Sequence, residues 1–214
     1  MNADERVSAV LGEMAQAGLE AVIAVCGSVH AFQRPNAVFL LSGVRSLGDA
    51  FVVLHGRGDS RLVVSPAWDA CRARERSKTA VTDGAADIRE ALVAAVERLG
   101  LPPAAIGIVG LDSVSFGMGT WLSRTLGNGV RRFDAEFLRA TRRKSAEEIA
   151  NAGRATRIAE QGWEMLLSIA RPGMQELELA TEICGRMAAL GADDNFLMLS
   201  ASQHARAVRP PSRR

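Results

Sequence analysis

Apolar positions along this 214-residue chain fall into two periods, one of about 3.6 residues and one of continuous short runs. Val7, Val10, Leu11 and Met14 recur at helical spacing, and Gly18 stands where such a helix would stop. AVIAV at 21–25 is uninterrupted and predicts a strand buried on both faces. VFLLSG at 38–43 reads as a further strand. AFVVLHGRGDSRLVVS predicts a hairpin, with 51–54 and 62–64 flanking a glycine-rich turn. Ile88, Leu92, Ala95, Val96 and Leu99 share one face of a helix over 87–99, and Gly100 can end it. Beyond Pro102 and Pro103, AIGIVGL at 105–111 predicts another buried strand, followed by a short helix over 118–126 and an edge strand over 130–133. Helices alternating with buried strands argue for a layered α/β domain ending near Arg139.

From Thr141 the pattern turns to long helices. Ser145 and Glu148 stand at the spacing of a capping box. The helix that follows is expected to bury Ile149, Ala152, Thr156, Ala159, Trp163, Leu166, Leu167 and Ala170 along one stripe. Arg171-Pro172-Gly173 breaks it, because proline lacks the donor and glycine tolerates the turn. A second helix is predicted over 176–190, with Leu177, Ala180, Ile183, Cys184 and Met187 inward and Gly191 as its stop. The loop ADDN then leads to a predicted strand over 196–200. The domain reading is 1–140 and 141–214.

Composition narrows the classes. Hydrophobic residues make up 48% and charged residues 23%, as in ordinary soluble domains. A net charge of +2, from 26 Lys plus Arg against 24 Asp plus Glu, argues against a nucleic-acid surface. Lys78 and Lys144 are the only lysines, which reads as coding bias. No apolar stretch is long enough to span a membrane, and the acidic start MNADERVSAVL lacks a secretory core, so a cytoplasmic, reduced protein is expected. Cys26, Cys71 and Cys184 form no CxxC pair and read as small hydrophobes. The RGD at 57–59 reads as turn chemistry. GLDSVSFGMGTWL contains glycines but fits neither GxGxxG nor the P-loop, which argues against nucleotide binding.

Three stretches together carry a family likeness. RATRRKSAEEIANAGRATRIAEQGWEML resembles the junction helix of the creatinase, prolidase and aminopeptidase P group, with an Arg and Lys-Ser before Glu-Glu-Ile. SIARPGMQELELATEICGRMAALGADDNF resembles the segment after it, and LLSGVRSLGDAFVVL is similar to part of the N-terminal domain. Gln175 departs from the threonine usual after Gly-Met and is a poorer helix cap. The resemblance implies a layered creatinase-type α/β N-terminal domain with a mixed sheet, followed by an incomplete α+β pita-bread domain. It also implies a homodimer formed through the N-terminal domain.

His204 is the position that matches the family's first active-site histidine, and it is the one catalytic candidate. The plain alternative is a surface histidine in a tail. A histidine there could pass a proton to a leaving nitrogen. His30 and Arg34 are candidates for a subunit contact by the same resemblance, while His55 abuts the hairpin turn. Asp193 and Asp194 precede His204 and read as a solvated turn, not as metal ligands. Complete family members hold two divalent metals (Mn, Co or Zn) on two Asp, one His and two Glu, which can activate a bridging water. Those ligands fall after His204, so no metal is expected in this chain.

The functional expectation is therefore a homologue of Xaa-Pro aminopeptidases and prolidases, a fragment lacking the metal centre and inactive by itself. The complete protein would act on a peptide or a small amine. Two alternatives stay open: a non-catalytic short form that dimerises or binds peptide, and ancestry in a creatinase-like C–N hydrolase.

Overall fold

The computed structural model describes residues 3–27, 35–127, 129–193, 195–200 and 210–212. The chain divides into two compact units, Met1–Ser145 and Ala146–Arg214.

The first unit is built on a six-stranded sheet. Its strands are β1 (Ala21–Cys26), β2 (Ala50–His55), β3 (Ser60–Val64), β4 (Val81–Gly84), β5 (Ile106–Val109) and β6 (Arg131–Arg132). Their order is β4-β3-β2-β1-β5-β6, and only β2 runs against the others. The sheet is thus mixed, as the resemblance implied. Its helices are α1 (Ala3–Ala17), α2 (Ala37–Ser42), α3 (Ala70–Arg76), α4 (Ile88–Leu99), α5 (Phe116–Leu126) and α6 (Asp134–Thr141).

Continuous apolar runs are needed in the central strands because helices pack on both faces of the sheet. Side chains alternate between the faces. Val22, Ala24 and Cys26 of β1, Val52 and Leu54 of β2, and Leu62 of β3 join Val10, Met14, Val38, Leu41 and Phe137 in one core. Ile23, Val25, Phe51, Val53 and Val63 join Leu92, Ala95, Leu122 and Leu126 in the other. The hairpin forms as predicted, with His55 N–H donating to Asp59 O at 2.9 Å and Gly58 N–H to His55 O at 2.8 Å across the RGD turn. Asp87 caps α4, its Oδ1 accepting from Arg89 N–H at 2.7 Å, and Gly100 ends the helix at φ 61°.

Residues 38–43 correct the sequence reading, since they form most of α2 and its cap rather than a strand. Asn36 Oδ1 accepts from Phe39 N–H at 2.8 Å, and Gly43 closes the helix at φ 73°. A six-residue apolar run with both caps present is a short buried helix, which periodicity alone does not separate from a strand. Elements α3, β4 and α6 were not anticipated. Asp69, wholly buried ahead of α3, accepts a forked pair of bonds from Arg72, Nε to Oδ1 at 2.6 Å and Nη2 to Oδ2 at 2.8 Å. Arg72 Nη2 also reaches Arg45 O at 2.9 Å, so this ion pair ties α3 to the loop after α2.

The second unit contains α7 (Ala146–Ile169) and α8 (Glu176–Ala189), which pack on each other. They meet tightly at buried Gly162, where a Cβ would stand 2.8 Å from Met187 Sδ and 3.3 Å from Ile183 Cγ2. Ile158, Met165 and Ile169 are half-buried on the same face. The expected stripe is corrected here: Ile149 is 64% exposed, Trp163 61% and Leu167 66%. Glycine, not the large side chains, marks the contact line, because it lets the helices come close. Residues 196–200 are likewise not a strand. A strand is defined by its place in a ladder, and the six-stranded sheet of the described residues does not include this segment.

Candidate functional site

His204 lies within 201–209, outside the described residues, as do His30, Arg34 and Asp194. Asp193 is exposed in a bend after α8. His55 is half-buried at the end of β2, its Nδ1 accepting from Arg57 N–H at 3.2 Å. Among the described residues no group of three or more His, Cys, Asp or Glu is placed to hold a metal ion.

What the first unit does present is the carboxyl edge of its parallel strands. β1 and β5 are parallel neighbours, and the chain leaves them toward opposite faces, into α2 on one side and α5 on the other. Such a switch point is where open α/β sheets take ligands. Here it is sealed by the chain itself. Gly110, at φ 93°, turns so close beneath β1 that a Cβ would collide with the Val25 carbonyl. Ser113 Oγ donates to Val25 O at 3.1 Å, and Gly27 N–H donates to Ser113 O at 2.9 Å. Ser115 caps α5 by accepting from Met118 N–H at 3.2 Å. The glycine-containing run therefore closes the crevice and caps a helix, and forms no phosphate cradle.

Asp134 fixes that closure. Its Oδ1 accepts from Gly110 N–H at 3.0 Å and its Oδ2 from Arg132 Nε at 2.7 Å. The hydrogen bond to Asp134 raises the pKa of Arg132 further above an already high value.

Beside the sealed crevice lies an open hollow of about 360 Å³ lined by Asp49, Ser65, Asp87, Arg89, Ser115 and Met118. Gly48 is required at its edge, because a Cβ would run into the Ser65 carbonyl. Arg89 stands 5.5 Å from the centre of the Trp121 ring, a cation–π distance. Behind the hollow Cys26 lines a narrow apolar slot with Phe51, Leu92 and Leu122. Burial pushes the Cys26 thiol up to about 12, with the nearby Asp49 charge adding and a backbone hydrogen bond at Ala50 opposing. A thiol so shifted supplies no thiolate near neutral pH. Among the described residues this edge carries no nucleophile paired with a base. Sequence reasoning did not single out Asp49 or Ser65; the signal was Gly48, a glycine two residues before β2.

Among the described residues the second unit holds one buried carboxylate that the sequence did not reveal. Glu176, 2% exposed at the start of α8, accepts from Ser212 Oγ at 2.8 Å and from Ser212 N–H at 3.1 Å. Leu177 N–H donates back to Ser212 O at 3.0 Å. Glu178 meets the backbone N–H of Gln175 at 2.9 Å, so half of a capping box forms without the family's threonine.

No protein-family model matches the chain, and no curated protein matches it in sequence. Among solved structures it is similar to an X-Pro aminopeptidase from Thermotoga maritima MSB8, at TM-score 0.72 and 18% identity over 87% of this chain and 50% of that one. A prolidase from Pyrococcus horikoshii OT3 matches at TM-score 0.69 and 22% identity, over 88% of this chain and 50% of that one. Dipeptidase PepE from Mycobacterium ulcerans matches at TM-score 0.66 and 22% identity, over 99% of this chain and 56% of that one. The chain has the fold of these peptidases over nearly all of its own length, and it spans about half the length of the solved structures it matches.

Proposed function

We propose that the chain is the leading half of a prolidase-like or Xaa-Pro-aminopeptidase-like hydrolase. The first unit serves as its N-terminal domain, and α7 with α8 opens its catalytic lobe. One observation supports this reading: 87–88% of the chain matches peptidase structures of which it covers 50%. The substrate class is then a peptide with proline after the scissile bond, with small amines as the alternative class. In this reading His204 takes the place of the first active-site histidine. An imidazole titrating near neutrality suits the transfer of a proton to a leaving nitrogen. Dimerisation through the first unit and a cytoplasmic location belong to the same proposal.

The two metals of complete family members do not fit the described residues, which bring together no set of ligands. These 214 residues by themselves are expected not to hydrolyse Xaa-Pro dipeptides, with or without manganese.

The test uses both the natural and the recombinant protein. An antibody against the first unit should recover manganese-dependent Xaa-Pro dipeptidase activity from extracts of the native cell, while the recombinant 214-residue chain shows none. An inactive native precipitate would favour a non-catalytic binding form instead. Turnover by the recombinant chain would place the whole site within these residues and overturn the reading.

A further inference from the structure

Helices α4 and α5 cover only part of their face of the sheet. Past the carboxyl-terminal half of α4, the surface of β2, β3 and β4 lies open as a groove with about 340 Å³ of water-accessible space. Val53, Val81, Ala95 and Leu99 give it an apolar lining, and Val81 is 39% exposed there. His55, Asp59, Ser60, Arg61 and Arg98 also line it.

The polar atoms are mostly donors. The Nδ1 of His55 accepts from Arg57 N–H, so the proton of the neutral ring sits on Nε2, which is a donor. Ser60 Oγ accepts from Ala80 N–H at 3.4 Å and keeps its hydroxyl proton to give. Arg98 spends Nε on Ala94 O at 3.1 Å; among the described residues no carboxylate pairs with it, and its terminal nitrogens remain to donate. The charge of Arg61 is already answered by Asp83. Asp59 is the acceptor that stands against this set.

We propose that the groove binds a small organic carboxylate with an apolar tail. The tail lies on Val53, Val81, Ala95 and Leu99, and the carboxylate meets Arg98, with His55 Nε2–H and the Ser60 hydroxyl beside it. A guanidinium with free terminal nitrogens matches a carboxylate in geometry as well as charge. The groove lies wholly within the first unit, so the proposal stands independently of the hydrolase reading.

The probes are hexanoate, hexanol and hexylamine, titrated into the full chain and followed by amide chemical shifts. Hexanoate should saturate and shift amides of β2, β3, β4 and α4, and bind about tenfold more tightly than hexanol. Hexylamine should not bind. Arg98→Gln, on an exposed helix face, should weaken hexanoate about tenfold while the thermal transition stays in place. Asp59→Asn should tighten it by roughly twofold. Equal affinity for hexanol and hexanoate, an unchanged affinity in Arg98→Gln, or no saturation by about 20 mM would each overturn the proposal.

Discussion

The two units solve the same problem, hiding apolar surface, with different success. In the first, β1 is buried on every residue because each face of the sheet meets its own set of helices. In the second, two helices share a single contact line at Gly162, Leu179, Ala180 and Ile183. Trp163, Leu167 and Ile149 remain more than half exposed. A large apolar side chain gains about 1.5–3 kcal/mol by full burial. Several left wet forgo an amount comparable to the ~5–15 kcal/mol net stability of a whole domain. A sheet with helices on both faces buries its central strand completely, whereas a helix pair with one seam buries only that seam.

The comparison breaks most sharply if the units are separated. Residues 1–145 alone should unfold in one cooperative thermal transition followed by circular dichroism. Residues 146–214 alone should lose helix gradually, with no cooperative step, because short isolated helices are marginal in water. A sharp transition in the isolated second unit would show that its seam suffices.

Single substitutions sharpen the contrast within the intact chain. Leu54, fully buried in β2, should cost about 2–5 kcal/mol when changed to alanine, from lost transfer energy and the cavity left behind. Trp163→Ala should change stability by no more than about 0.5 kcal/mol despite removing a larger side chain. Urea unfolding read by the first unit's circular dichroism measures one, and amide exchange in α7 measures the other. Similar losses for both would mean that the exposed face of α7 is covered in solution.

How much of this was visible beforehand depended on how uniquely each pattern maps to structure. β1, the β2–β3 hairpin, α4 and β5 were legible because long apolar runs or a clear helical face met unambiguous stop residues. Residues 38–43 misled because caps, not periodicity, decide a six-residue run. Helix α7 misled because the stripe was chosen by side-chain size, while the seam is set by Gly162, whose lack of a side chain is its contribution. Of the candidate site, the seal on the β1/β5 crevice was not legible, because it rests on contacts of Gly110 and Ser113 with Val25, far away in sequence. The Glu176–Ser212 pair was invisible because it joins residues far apart in sequence by a fold that no local pattern encodes.

Cys26 offers a pH test confined to the first unit. Its thiol is shifted upward, from 9.0 to about 12, so the folded state holds the proton more tightly than the unfolded chain does. Its contribution is therefore fully present below pH 9 and is lost as pH rises through about 12. The slope attributable to this thiol is about 1.4 kcal/mol per pH unit. Comparing the chain with Cys26→Ala by urea unfolding across that range isolates it. The variant should lie below the parent in stability near neutral pH and show the shallower decline. Parallel declines would mean that the thiol is less buried than the sheet makes it.

The most local effect is expected at the start of α8. Ser212 holds the buried carboxylate of Glu176 through two donors and takes the Leu177 amide in return, so it closes the first turn of α8 where the helix has unsatisfied N–H groups. Ser212→Ala removes only the hydroxyl and keeps both backbone bonds. The loss should be about 1 kcal/mol, the typical worth of one hydrogen bond. It should leave global unfolding unchanged and speed exchange of the Leu177 amide roughly fivefold, because the affected bond opens by local rather than global fluctuation. Unchanged protection at Leu177 would mean that the α8 start is held by its own capping box at Glu178. A drop in global stability would mean instead that the second unit is coupled more tightly than its single seam implies, and would erase the contrast between the two units.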